Sequence, residues 1–202
     1  MRLFFDTETS GLYKETVPFD DPGQPALCQL GVQVFDMRWR RVGSLFTLIR
    51  PDGWSIEPDA EKHHGISEAR CSRYGIPLVA ALLAFKSMVE NCRALVAHNA
   101  EFDRKVIRAA LSRSRADDLW WQRRAPAFFC TMETMTPVCQ LPGDYGFKYP
   151  SLEEAHRFCY PAEDYATLHD AEADTDACVR IFKWMEGRGL TPSLESRFTG
   201  AL

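Results

Sequence analysis

The sequence predicts a single α/β domain: a mixed five-stranded sheet, three antiparallel strands first, with helices on both faces. Three observations predict it. The first 50 residues hold three apolar runs of β type. From Pro77 onward, helical and strand patterns alternate, as they do when helices cover a sheet. No internal repeat, low-complexity tract or Gly/Ser linker divides the chain of 202 residues.

Each element has its own signal. Arg2–Asp6 is a short apolar strand, and a loop with the turn composition Asp20-Asp21-Pro22-Gly23 follows it. Leu27–Met37 and Val42–Arg50 are richer in Val, Leu, Ile and Phe, and the short connection at Arg38–Arg41 makes them a hairpin. Pro77 opens a helix to about Asn91, with Leu78, Leu82, Phe85 and Val89 on one face. Arg93–Ala97 is the fourth strand and Ala100–Arg113 a helix. Asp117–Arg124 reads as helical, Phe128–Thr131 as the fifth strand, and a further helix follows. Ser151-Leu-Glu-Glu154 is a capping-box pattern opening a helix to about Cys159. The last long helix runs from about Asp170 to Glu186 and stops near Gly187. The expected domain is residues 1–189, with 190–202 as a C-terminal tail.

Composition narrows the function. No apolar stretch approaches the ~20 residues of a membrane span, and the N-terminus lacks a signal-peptide pattern, so a cytoplasmic protein is expected. The seven cysteines are scattered without a C-x-x-C pair, so they read as reduced thiols and not as a zinc site. A net charge of −4 argues against a tight nucleic-acid-binding module but not against an enzyme that meets nucleic acid through metal ions.

Three segments place acids on faces meant for the core. In the first strand, Phe4, Asp6 and Glu8 share one side, and Leu3, Phe5 and Thr7 the other. Asp6 and Glu8 therefore project together, roughly 7 Å apart, unless the strand has ended and both are solvated. On the helix opened by Asn99, a plausible N-cap, Asp103 aligns with Val106, Ile107, Ala110 and Leu111. The helix dipole favours an acid in the first turn but does not explain why it faces inward. On the last helix, Asp174 aligns with Ala177, Cys178, Ile181 and Met185, while Glu172 and Asp176 point away. Asp170 reads as an N-cap, with His169 just ahead of it.

Four inward carboxylates converging at the sheet cannot all stay ionised unless cations neutralise them. Hard oxygen ligands suit Mg²⁺ or Mn²⁺, and two such ions ~3.5–4 Å apart are the apparatus of in-line phosphoryl displacement. A neutral His169 fits the role of proton acceptor for the attacking water.

Asp6-Thr-Glu-Thr-Ser-Gly-Leu12, His98-Asn-Ala-Glu-Phe-Asp103 and His169-Asp-Ala-Glu-Ala-Asp174 resemble the three motifs of the DEDDh 3′–5′ exonuclease family. That family includes proofreading subunits of bacterial DNA polymerases. His63-His64-Gly65-Ile66-Ser67 is similar to the H-G-I stretch between the family's first two motifs. The resemblance spans nearly the whole chain. It implies a ribonuclease-H-like fold, two divalent metals and release of nucleoside monophosphates from a 3′ end. By the same resemblance Asp6, Glu8, Asp103 and Asp174 hold metal, and His169 and Glu8 are catalytic. Thr7, Thr9, Ser10, Gly11, Leu12, His64, His98, Asn99 and Phe102 bind substrate, with Leu12 as a wedge against a base. A sister branch uses Y-x-x-x-D, a spelling that Tyr160 to Asp164 also fits, but Pro161 argues for a loop there.

Two regions depart from a spare core of this kind: the loop Tyr13–Pro25, and Trp120-Trp121 with Arg123-Arg124. The tryptophans either stack on single-stranded bases or pack a helix on the core, and packing is favoured. The clusters Arg38/Arg40/Arg41, Arg104/Lys105/Arg108 and Arg113/Arg115 either guide a phosphate backbone or are merely solvated. The expected substrate is single-stranded DNA at its 3′ end. An exoribonuclease, or a non-catalytic binding protein of the same fold, is the alternative. A polymerase or other protein partner is possible, and oligomeric state is open.

Overall fold

The computed structural model describes residues 1–123, 128–163 and 170–191. Its centre is a five-stranded sheet of order β3-β2-β1-β4-β5. β1 (Arg2–Thr9) pairs antiparallel with β2 (Leu27–Phe35), which pairs antiparallel with β3 (Arg41–Leu48). On its other side β1 runs parallel to β4 (Ala94–Ala97), and β4 parallel to β5 (Phe128–Cys130). This is the mixed sheet expected from the sequence.

The alternation along β1 divides the core. Leu3 and Phe5 pack on the face covered by α3 (Leu78–Glu90) and α4 (Ala100–Arg113). Phe4 packs on the other face with Cys178, Val179 and Phe182 of α8 (Ala171–Glu186). The three phenylalanines Phe4, Phe5 and Phe182 are fully or almost fully buried; burying one such side chain contributes ~1.5–3 kcal/mol. α6 (Thr131–Cys139) and α7 (Leu152–Cys159) extend the second layer against α8. The Ser151–Glu154 capping box is formed on both sides.

Several elements differ from the sequence reading. β1 continues through Thr9, because β2 begins opposite it, so Asp6 and Glu8 lie inside a paired strand. The helix expected over 117–124 is a single turn, α5 (Leu119–Gln122). Within it Trp121 is buried against Phe5, Phe85 and Phe128, and its indole N–H donates to the Arg104 carbonyl at 3.1 Å. That is the packing role. Two helices of seven residues each were not apparent from periodicity: α1 (Pro58–His64), stopped by Gly65 in a left-handed conformation, and α2 (Glu68–Tyr74). A two-stranded hairpin, β6 (Pro142–Gly143) and β7 (Gly146–Phe147), was also missed. Tyr160 follows α7, and its hydroxyl donates to the Arg180 carbonyl at 3.0 Å, so it serves the α7–α8 contact. Asp164 lies outside the described residues.

The loop after Leu12 is strapped onto α4. Gln24 ties it internally through Lys14, Val17 and Pro18. Lys105 pairs with Glu15 at 2.8 Å, Arg108 lies 3.6 Å over the Phe19 ring, and Arg113 donates to the Gln24 carbonyl at 2.7 Å. Arg104 pairs with Glu101 and Arg108 with Asp118. These cations are engaged within the chain. The seven cysteines are all free, and among the described residues no helix is long and apolar enough to cross a membrane.

Candidate active site

The C-terminal half of β1 ends in a cleft of about 480 Å³, within the size of ordinary ligand sites. It is lined by Asp6, Thr7, Glu8, Thr9, Gly11, Leu12, His64, His98, Asn99, Phe102, Asp103 and Asp174, together with residues of α1. Ser10 is not on that lining. Its hydroxyl accepts from the Ala26 N–H at 2.8 Å, pinning the strand end from behind. His169 and the segment 164–169 around it lie outside the described residues.

Carboxylate oxygens of Asp6, Glu8 and Asp174 lie within 4.8 Å of one another. Asp103 comes from the opposite layer, on α4, and is almost fully buried. It is held by the Thr7 hydroxyl, which donates to Oδ1 at 2.8 Å. The alternation of β1 explains the division: Asp6 and Glu8 share the α8 face with Phe4, and Thr7 shares the α4 face with Leu3 and Phe5. The acids therefore meet around the end of the strand, from both faces.

The approach of Asp174 depends on β2. Gly31 stands opposite Asp6, and a Cβ there would sit 2.3 Å from the Ala171 carbonyl oxygen. The first turn of α8 thus rests directly on the β2 backbone. Gln29 fastens it, accepting from the Ala171 N–H at 3.0 Å and donating to Asp170 at 3.2 Å, while Gln33 bonds Asp176. Asp170 caps the helix by accepting from the Glu172 N–H. Gln29 and Gly31 were missed from sequence. Their signal was polar and small residues inside a strand that is buried along its whole length.

Electrostatics mark the acids as strained together. Burial pushes the Asp6 carboxyl well above the usual carboxylate range, and repulsion from Asp103, Glu8, Asp174 and Asp170 adds to it. Glu8 is raised to about 8, by burial first and then by Asp174 and Asp103. Burial raises Asp103 to about 7, although the Thr7 hydrogen bond pulls the other way. Among the described residues no lysine or arginine pairs with Asp6, Glu8 or Asp103.

Two histidines of the cleft, His64 and His98, are fixed by hydrogen bonds. His64 accepts from the Ile66 N–H at Nδ1 (3.0 Å), so its Nε2 carries the proton and donates to the Thr9 carbonyl at 3.1 Å. His98 donates from Nε2 to the Pro150 carbonyl at 3.0 Å, leaving Nδ1 to accept from the Thr131 hydroxyl at 2.9 Å. Burial lowers its pKa to about 4, so the ring is neutral at physiological pH. Asn99 sits at the N-cap of α4 but in a left-handed conformation (φ 67°), without capping through its side chain. Thr9 donates to the Gly11 carbonyl at 2.7 Å, shaping the turn that leaves Leu12 at 84% exposure on the rim.

The family model described as an exonuclease matches residues 3–182, and the chain belongs to that exonuclease family, the DEDDh class of its three motifs. No curated protein sequence matches the chain. Among solved structures it is similar to E. coli exonuclease I in complex with a dT13 oligonucleotide, at 20% identity over 92% of this chain and 41% of that one, with a TM-score of 0.73. It is likewise similar to a zinc-bound form of the E. coli exonuclease I complex with single-stranded DNA (21% identity, 92% and 40% covered, TM-score 0.73). A moderately thermophilic exonuclease I from Methylocaldum szegediense matches at 19% identity, covering 95% and 41%, with a TM-score of 0.73. These matches establish the ribonuclease-H-like exonuclease fold. The chain spans about two-fifths of the length of those proteins.

Proposed function

We propose that the protein is a metal-dependent 3′–5′ exonuclease that releases nucleoside monophosphates from single-stranded DNA, with residues 1–189 as the catalytic domain and 190–202 as a tail. The observation that carries this reading is the set Asp6, Glu8 and Asp174, partly to fully buried, with oxygens within 4.8 Å of one another in a cleft walled by Asp103. A mutually repelling all-oxygen donor set, open to the cleft, fits hard divalent ions such as Mg²⁺ or Mn²⁺. Two ions held by Asp6, Glu8, Asp103 and Asp174 would supply Lewis-acid activation of water and neutralise charge developing on the phosphate. The exonuclease I structures that contain oligonucleotides support the choice of single-stranded DNA.

The remaining work belongs to the chain. The Thr9–Leu12 turn, braced by His64 and Ser10, receives the terminal nucleotide, with Leu12 against its base and Asn99 and Phe102 across the cleft. Thr7 fixes Asp103. His98 holds the cleft wall to Pro150. His169, the residue before the α8 N-cap, is assigned as the base that takes the proton of the attacking water, by the resemblance of its motif.

The test is degradation of one oligonucleotide labelled at either end, as DNA and as RNA, by wild type, Asp174→Ala and His169→Ala in Mg²⁺ or Mn²⁺. Shortening from the 3′ end of the DNA, lost in both variants, is expected. Equal turnover by Asp174→Ala and wild type would sink the metal assignment. Loss of metal binding by His169→Ala in calorimetry would contradict its role as base.

A further inference from the structure

The hairpin between α6 and α7 exposes aromatic rings at three alternate positions. Tyr145 is fully exposed, Phe147 is 54% and Tyr149 63% exposed. The segment 142–149 contains no aliphatic side chain besides its proline, and Gly146 and Lys148 separate the rings. The hairpin is closed at its base. Gln140 closes α6 in a left-handed conformation, Lys148 N–H donates to the Leu141 carbonyl at 2.9 Å, and the capping box of Ser151 opens α7 at once. Its far end is tied to the cleft, because Pro150 accepts the His98 hydrogen bond.

We propose that Tyr145, Phe147 and Tyr149 form a stacking platform for bases of the single strand that leads into the cleft. The inference rests on the cleft holding a nucleic-acid 3′ end. Separate, exposed rings suit flat bases one at a time, and every base offers a π face regardless of sequence. A protein-docking patch has instead a contiguous, well-packed apolar core, which the glycine and lysine between the rings interrupt. Lys148 is already paired with Glu154 at 2.6 Å. The platform therefore contributes stacking and not phosphate neutralisation.

The experiment measures binding of fluorescently labelled sixteen-nucleotide and three-nucleotide oligo-dT in EDTA, for wild type, Tyr145→Ala, Phe147→Ala, the double variant and Tyr145→Trp. Turnover of the three-nucleotide substrate is measured separately in Mn²⁺. Removing a ring should weaken binding of the sixteen-nucleotide strand about tenfold, and two rings more. Trinucleotide turnover should stay unchanged, and Tyr145→Trp should bind like wild type. The wild-type to variant ratio should hold between 50 and 200 mM salt, since no counterions are released at a stacking contact. Equal affinity of the double variant for the long strand overturns the platform. So does equal loss on the short strand, a ratio that collapses with salt, or no binding of the long strand by wild type. Absence of turnover in wild type that still binds the long strand through these rings would overturn the exonuclease reading alone.

Discussion

At the N-terminal end of β1, Arg2 is buried at 4% exposure, paired with Glu186 and lying 4.4 Å over the Trp39 ring. At the C-terminal end of the same strand, Asp6 and Glu8 are surrounded by further acids, and burial and repulsion raise both. One end carries its own counterion and packs it among rings, as a charge kept for structure should. The other end gathers acids that repel one another, and among the described residues no lysine or arginine pairs with Asp6, Glu8 or Asp103. A buried charge with an internal partner belongs to the fold. Buried acids that repel one another cost the fold stability, which is the reason to assign them to the proposed metal site.

The comparison breaks most visibly at Asp174. Asp174→Ala should lower exonuclease turnover by ~10³-fold or more on an end-labelled oligonucleotide. Turnover equal to wild type would show that the inward acid of α8 takes no part in the chemistry.

Gly31→Ala asks whether the β2 backbone aims that acid. The new Cβ would meet the Ala171 carbonyl at 2.3 Å, so α8 must shift. Turnover should fall ~100-fold, since small misplacements of reacting groups are costly, and stability by ~1–3 kcal/mol. Unchanged kinetics would show that α8 does not depend on this contact.

Glu186→Ala tests the opposite end. It strands the Arg2 guanidinium and should cost ~2 kcal/mol in denaturant unfolding, less than a fully buried pair because Glu186 is 34% exposed. Turnover should remain within about twofold. A large kinetic defect would erase the distinction between the two ends.

The smallest effect is a pH slope. Glu8, raised to about 8, and Asp103, raised to about 7, hold protons in the folded protein that the unfolded chain has already released. Stability of the metal-free protein is therefore greatest at low pH from these groups and falls as pH rises from 6.5 to 8. Thermal melts in EDTA should show that fall, reduced in Glu8→Gln. Mn²⁺ should raise the melting temperature more at pH 8 than at pH 6.5. A flat profile in EDTA would argue that the acids are already compensated.

Much of this was legible beforehand, and the exceptions have physical causes. The bounds Ala100–Arg113 of α4 follow from its long apolar stripe and agree with the structure. The inward phases of Asp103 and Asp174 follow from the same 3.6-residue period, and both are buried. α1 and α2 escaped because two turns are too short to display a period. The hairpin at 142–147 escaped because its rings face solvent and make no core pattern. Tyr160, the first letter of the Y-x-x-x-D spelling, lies at the end of α7, where its hydroxyl closes the α7–α8 contact.

By itself, then, the sequence determined which carboxylates turn inward, because helix and strand periods are local properties of the chain. Tertiary structure alone decided how they meet. Asp6, Glu8 and Asp174 gather on one face while Asp103 arrives from the other, on a hydrogen bond from Thr7. That arrangement depends on α8 resting on Gly31, a contact between backbones far apart in the sequence. Distances set by such a contact come from the packing of whole layers, and no local period contains them.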